Sequence, residues 1–548
     1  MKLCGAKIRY ATLLGLGFFC LLLAVFCSVA TGDSNQKPFS VSNMPAEEAL
    51  RLGERIYREG VLPSGAPMEA VVKGDIPVDG TAFSCESCHM RSGLGSIEGR
   101  VITPPTNGKK LFQPLKTLYK KVVVGSMPDR RPAYTEESLA DVLRGGIDPS
   151  GRTLNDIMPR YMLDDRDMAI LIYYLKSLSS QFSPGVTDTT LRIAAIITDD
   201  VSPEEGEVMI ALLEDYFTYR NNTAKAYGMG KRQSRMTETM LGAREAAHLD
   251  LKLSRWVLKG PPQTWRSQLE EFYRAEPVFA LLGGITSGEW KPIHDFSEAH
   301  RIPSLFPLTD LPVISETDWY TLYLSKGYYQ EGEGAARYLS GQDNLKKGKT
   351  IVEIVRDSSE GRALSTGFRE TWRDMGNQPP LTITLKSEET LTEELLQRVM
   401  VKEKPAVLVI WDGPEVLPAL EALQASKDMP DVVLVSFGYL GKDVWTLGEG
   451  LRDFVYITYP FRLPQDEAKL SFSVPIMRNM EIKGDAQLIL KRTYAVIQIL
   501  ARALMDLKGE YYRDRFLDVI GMMADQQVPL YERFSFGPGQ RYASKGCY

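Results

Sequence analysis

The chain has 548 residues, of which 44% are apolar and 25% charged. That is the composition of an ordinary globular protein, and the length suits about three to four domains. A net charge of −5 with no basic run argues against a nucleic-acid-binding class.

The chain begins with an export pattern. Lys2, Lys7 and Arg9 precede an almost wholly apolar stretch over 11–30, and Ser28-Val29-Ala30 is a small-x-small cleavage site followed by polar Thr31-Gly32-Asp33. Residues 1–30 therefore read as a signal peptide, or as an uncleaved anchor, since the run is long enough to span a bilayer. No second span follows, so any membrane contact would come from this segment, and the expected location is the periplasm. Cleavage after Ala30 would leave three cysteines, Cys85, Cys88 and Cys547. Cys547 is then an odd thiol, either inert or available to crosslink two chains.

The next stretch, 41–181, reads as one domain. Leu50, Gly53 and Tyr57 lie on one face of a helix expected over 46–58, with Gly53 allowing another helix to come close. Cys85-Glu86-Ser87-Cys88-His89 has the C-x-x-C-H form that attaches a c-type haem. Two thiols would bond the haem vinyl groups, and His89 would bind iron. A redox CxxC or a zinc site is the other reading, but no thioredoxin-like strand-helix setting surrounds the motif, and the next histidine is His248. A second helix is expected over 165–179, capped by Asp164 and carrying Met168, Leu171, Ile172, Leu175 and Leu178 on its apolar stripe. With no second histidine nearby, methionine is the expected sixth iron ligand. Met158, in Asn155-Asp156-Ile157-Met158-Pro159-Arg160-Tyr161, is the first candidate, with Met127 and Met162 behind it.

A Gly-x3-Tyr helix before the motif and Leu171, Tyr174 and Leu175 after it resemble the terminal helices of class I cytochromes c. The resemblance implies an all-α domain with one covalent haem c. Met158 matches the axial-ligand position of that family. Two filled axial positions would favour electron transfer to a redox partner protein over oxygen chemistry.

Ser183-Pro184-Gly185 marks a linker over 182–189, and from 190 to 548 strand-like and helix-like runs alternate. Strands are expected at 191–197, 278–282, 350–355, 406–410 and 432–436, with helices at 204–219, 243–259, 332–339, 361–375 and 416–426. This alternation predicts parallel sheets covered on both faces, and some 360 residues are too many for one core, so two lobes are expected.

Leu191-Arg192-Ile193-Ala194-Ala195-Ile196, the run from Phe279 to Ser287, Ile302-Pro303-Ser304-Leu305-Phe306, and Asp357, Gly361 and Phe368 resemble, in order, type I periplasmic binding proteins of the leucine/isoleucine/valine type. The segment from Phe534 to Arg541 resembles the end of that family. The resemblance implies a small ligand, such as an amino acid or small organic acid, bound between the lobes. Matching positions are Thr286, Ser287 and Thr309 in the first lobe and Ser359, Trp411 and Tyr439 in the second; Thr286, Ser287 and Thr309 also fit plain helix caps. Two departures stand out: Ser359 replaces the usual tyrosine, and no acidic residue clearly matches a partner for an ammonium group, although Asp412 and Glu415 are near.

His248, His294 and His300 are too scattered to ligate a metal together. No GxGxxG, P-loop, GxSxG or HExxH motif occurs, so nothing marks an enzyme. The expectation is a multidomain protein, an all-α cytochrome c domain followed by a two-lobed α/β binding-protein domain. Its function would be electron transfer through one covalent haem c. The alternative is a periplasmic small-molecule binding or sensor protein with an accessory haem.

Overall fold

In the computed structural model the chain divides into two units, Met1–Ser180 and Gln181–Tyr548. The structure describes residues 40–41, 44–72, 76–98, 101–114, 131–229, 249–342, 345, 350–425, 429–468, 486–532, 534–537 and 539–548. The expected signal peptide and Met127 lie outside these residues.

The first unit is built on helix α1 (Ala46–Glu59) crossing helix α4 (Asp165–Ser177), and between them in sequence come the one-turn helix α2 (Cys85–His89) and α3 (Glu136–Gly145). Asp164 caps α4 by accepting from the Asp167 N–H at 2.7 Å. Ala49, Leu52, Ile56 and Tyr57 of α1 pack with Met168, Ile170, Leu171 and Leu175 of α4 in one buried cluster. Gly53 stands where the two backbones meet. A Cβ there would lie 2.5 Å from Tyr174 Cβ and 2.7 Å from the Ile170 carbonyl oxygen.

This unit is not all-α. Strands β1 (Glu69–Val72), β2 (Ile76–Asp79) and β3 (Arg160–Tyr161) form an antiparallel sheet. These strands are short, and β2 buries no residue, so they leave no apolar alternation in the sequence.

The second unit holds two parallel sheets. The first, in the order β8-β7-β6-β4-β5, comprises β4 (Thr190–Thr198), β5 (Asp250–Leu258), β6 (Ala280–Leu282), β7 (Ser304–Leu305) and β8 (Thr321–Leu322). Its helices are α5 (Pro203–Met229), α6 (Trp265–Ala275) and α7 (Lys291–Ala299).

After α8 (Tyr328–Ser340) comes the second sheet, in the order β10-β9-β11-β12-β13. It comprises β9 (Ile351–Arg356), β10 (Leu381–Leu385), β11 (Val407–Trp411), β12 (Val432–Ser436) and β13 (Val455–Thr458), all parallel. Helices α9 (Ser359–Asp374), α10 (Glu393–Glu403) and α11 (Leu417–Ala422) cover it, and α12 (Ala486–Leu507) and α13 (Arg513–Gly521) return to the first sheet.

Both faces of each sheet are buried, as the continuous apolar runs required. Leu191, Ile193, Ala195 and Ile197 enter one core with α5 and α12, while Ala194 and Ile196 enter another with Trp265 and Phe296. In the second sheet Leu408 and Ile410 face α10 and α11, and Val407, Val409 and Trp411 face Phe368 and Trp372 of α9. The helix expected over 243–259 is instead strand β5 for its described part, because it pairs in register with all of β4. The chain passes between lobes at 323–327 and at 459–463, and 541–548 runs beside both crossings. Ala543 N–H donates to Tyr323 O at 3.1 Å, and Tyr459 and Tyr548 exchange backbone hydrogen bonds at 2.7 and 2.8 Å.

Gly53→Ala should destabilise the first unit by roughly 1–3 kcal/mol through overpacking, although alanine is the better helix former. Thermal unfolding followed by circular dichroism checks this; an unchanged or raised transition would refute the close crossing.

Candidate functional site

In parallel α/β sheets the carboxyl ends of the strands are where ligands are met. Lobe 1 brings Asp200, Thr286, Ser287 and Thr309 to that edge, just after β4, β6 and β7. Lobe 2 brings Arg356, Ser358, Ser359, Asp412 and Tyr439, just after or at the ends of β9, β11 and β12. An open cavity of about 470 Å³ lies between the lobes, lined by Glu289, Lys291 and the apolar strip Leu311, Pro312, Val313 and Ile314 on one side. Lys326, Tyr329, Ser359, Arg362 and Thr366 are among the residues that line the other.

The loop after β6 is shaped by Gly284, at φ 99°, where a Cβ would sit 2.5 Å from the Trp290 ring. That turn sets Thr286 in place. Its hydroxyl oxygen accepts from the Gly288 N–H at 3.2 Å, and Thr309 likewise accepts from the Leu311 N–H at 3.0 Å. Both are largely buried, at 8% and 9% exposure. Among the described residues neither hydroxyl has an acceptor for its proton. Ser287 is differently placed: it donates to Asp200, which also accepts from Thr198. Burial would raise the Asp200 carboxyl, but the two hydroxyls outweigh it and hold the group below its ordinary value.

In lobe 2 the cap of α9 is Ser358, which accepts from the Gly361 N–H at 3.1 Å and shares a 2.8 Å hydrogen bond with the Tyr439 hydroxyl. Ser359 reaches across the cleft and donates to Glu289 at 3.1 Å. Trp411 is not at the surface of the cleft. It is fully buried beneath α9, with its indole N–H on Glu353 at 3.1 Å, so as a ligand contact it is corrected to a core residue. The sequence pattern could have shown this, because Trp411 continues the alternation of Val407 and Val409.

Paired charges lie at the strand ends, and of them sequence reasoning names only Asp412. Arg356 grips Asp412 with Nε and Nη2, both at 2.7 Å, and Asp412 is buried. Arg492, on α12, holds Asp310 at 2.6 and 3.2 Å. Glu331, on the first turn of α8 next to a crossing, is fully enclosed. It accepts from Ser436 at 2.9 Å, Thr458 at 2.7 Å and the Gly438 N–H at 3.2 Å, joining α8 to the ends of β12 and β13. Burial pushes its carboxyl up to about 7, against the lowering effect of those donors.

The first unit presents the other candidate residues. Cys85 is buried and Cys88 exposed, both as free thiols, and burial pushes Cys85 up to about 12. His89 is buried, with Nδ1 2.8 Å from the Pro104 carbonyl oxygen and Nε2 without a partner among the described residues; burial lowers its pKa. Met158 packs at the margin of the core, and its carbonyl accepts from Arg160. Among the described residues no group of three or more His, Cys, Asp or Glu is arranged to hold a metal ion. His294 is a structural residue, bonded to Tyr323 and Asp318 at 2.9 Å each.

A family model described as periplasmic binding protein matches residues 259–543, more than half of the chain. The chain belongs to the periplasmic binding proteins. Among solved structures it is similar to a putative branched-chain amino acid ABC transporter from Rhodospirillum rubrum, at 13% identity and a TM-score of 0.46, covering 65% of this chain and 96% of that one. A branched-chain amino acid ABC transporter from Thermus thermophilus with bound valine is similar at 13% identity and a TM-score of 0.44, covering 66% and 92%. No curated protein matches. The assignment rests on the family model.

Membership of the periplasmic binding proteins corrects the main functional expectation. The matched family is one of binding proteins, its match lies wholly outside the C-x-x-C-H stretch, and no finding supports a cytochrome. Electron transfer as the function, haem c as the cofactor and a redox partner are withdrawn. With them goes the axial role of Met158, which remains a packing residue of its unit.

Glu331 generates a pH prediction. Its folded pKa of about 7 lies above the ordinary 4.5, so the folded state holds the proton more tightly. The stability this gives is present below pH ~4.5 and is lost as pH rises through about 7, by up to about 3 kcal/mol. Glu331→Gln should therefore narrow the fall in unfolding free energy between pH 5 and pH 8. Urea titrations at the two pH values measure it, and an equal fall in both proteins would rule the effect out.

Proposed function

We propose that the Gln181–Tyr548 unit is a periplasmic ligand-binding module that takes a small carboxylate-bearing molecule, amino-acid-like in size, between its lobes. The observation that carries this reading is the pair Thr286 and Thr309. Each hydroxyl is fixed by a backbone N–H of its own loop and, among the described residues, keeps a proton to donate at the strand ends; neither lines the open inter-lobe cavity, but Leu311, whose N–H fixes Thr309, does, as does Ser359. Oriented hydroxyls and backbone N–H groups at such edges suit an anion. The cavity volume falls within the range of small-ligand pockets. The family assignment and the export pattern over 1–30 support a periplasmic location. No helix among the described residues is long and apolar enough to cross a membrane.

The test is a thermal-shift screen of the full chain against amino acids and small organic acids, followed by calorimetry on the compounds that raise the transition. A ligand at a hundred times its dissociation constant should add about 3 kcal/mol of apparent stability. Thr286→Ala with Thr309→Ala should weaken binding at least tenfold, since a hydrogen bond to a charged group contributes about 1.5–3 kcal/mol. A panel without a single stabilising compound, or full affinity in the double variant, would overturn this reading.

A further inference from the structure

Charged residues in the lining of the inter-lobe cavity are Lys291, Lys326, Arg362, Glu289 and Glu370. The three cations are already matched. Lys291 holds Asp295 at 2.8 Å, Lys326 holds Glu333 at 2.9 Å and Arg362 holds Asp357 at 2.7 Å, and none of those acids lines the cavity. The two carboxylates are held by neutral groups instead. Glu289 accepts the Ser359 hydroxyl at 3.1 Å, and Glu370 accepts the Tyr329 hydroxyl at 2.6 Å. Each uses one oxygen, and among the described residues neither forms an ion pair. Lys326 lies 5.2 Å over the Tyr329 ring but is turned to Glu333, not to Glu370. A hydroxyl leaves the charge of a carboxylate in place, so two negative charges in the lining stand without a cation.

Their placement sets a length. Ser359, Arg362, Ala363, Thr366 and Glu370 recur at helical spacing and share one face of α9. Ser359 fixes Glu289 at the start of that face and Glu370 stands at its far end, about 16 Å along the axis. Leu311, Pro312, Val313 and Ile314 give the same cavity an apolar wall. The near end adjoins the threonine pair: Glu289 follows Thr286 on one loop, and the Leu311 N–H fixes Thr309. A carboxylate on the threonines thus has one unmatched acid beside it and a second at the far end of the cavity.

We infer that the ligand is a basic α-amino acid of lysine or arginine length, with its α-ammonium on Glu289, its aliphatic stem along Leu311–Ile314 and its terminal cation on Glu370. The reach of two glutamate side chains, and an ion-pair contact of about 2.8 Å at each end, take up the rest of the span. Asp412 is not available for the ammonium, because both its oxygens meet Arg356. Glu370 is half-buried and Glu289 exposed, so the terminal cation gives the larger share of selectivity. This inference rests on the proposed binding function.

The experiment is calorimetry on the full chain with pairs of similar shape that differ in the terminal charge: lysine against norleucine, and arginine against citrulline. The charged member should bind at least tenfold tighter. Glu370→Gln should cut that preference at least tenfold, and Glu289→Gln should weaken lysine and arginine at least threefold. Equal affinity within the pairs, a preference that survives Glu370→Gln, full affinity in Glu289→Gln, or binding only of acids that carry no ammonium group would overturn the inference while leaving the binding function standing. If no amino acid and no compound of the wider panel binds, the binding function itself fails, and this inference with it.

Discussion

Everything in the Gln181–Tyr548 unit depends on two parallel sheets being covered on both faces. A strand buried on both sides has no room for polar side chains along its length, so β4, β11 and β12 are nearly uniform runs of aliphatic residues. Polar groups gather mostly at strand ends; one exception, Glu353 within β9, is buried and held by Arg369, Thr382 and Trp411. The crossover helices bring every strand in with the same polarity, so those ends gather at one edge of each sheet. Thr286, Thr309, Ser358, Asp412, Ser436 and Thr458 are all polar residues at or just past the end of an apolar strand. The cleft chemistry follows from the rule that keeps the cores dry.

The same constraint governs the buried charges around the cleft. A carboxylate withdrawn from water must be paired or must give up its ionisation. Asp412 follows the first course through Arg356, and buried Arg492 is likewise paired, with the half-exposed Asp310. Among the described residues Glu331 has no such cation; it has hydroxyls and an amide, and burial raises its pKa. Glu353 follows the first course beneath the sheet, where Arg369, Thr382 and the Trp411 indole converge on it. Trp411 was therefore claimed from below by a buried carboxylate before any ligand could reach it.

The Met1–Ser180 unit shows how far a short motif reaches. The C-x-x-C-H spacing suggested a chemistry, and the structure places the motif on a one-turn helix with His89 oriented by the Pro104 carbonyl. The match that assigns the chain to a family lies elsewhere and concerns ligand binding, so the motif does not set the function. Five residues carry a pattern; the 259–543 match draws on a whole succession of strands, turns and helices.

The sequence by itself determined the α/β alternation, the long apolar strands and the close helix crossing at Gly53, because these follow from local pattern: period, caps and a missing side chain. It also marked the loops of Thr286 and Thr309. Only the tertiary structure decided the rest. Strand β5 was masked by helix-like composition and is fixed by pairing along β4. The choice of Ser358 over Ser359 as cap, the burial of Trp411 and the pairing of Asp412 turn on which way single side chains face once helices have packed. Asp310 and Arg492 stand far apart in sequence, as do Glu331 and Thr458. No local signal couples such residues, because the interaction exists only after two lobes have folded and the chain has crossed between them.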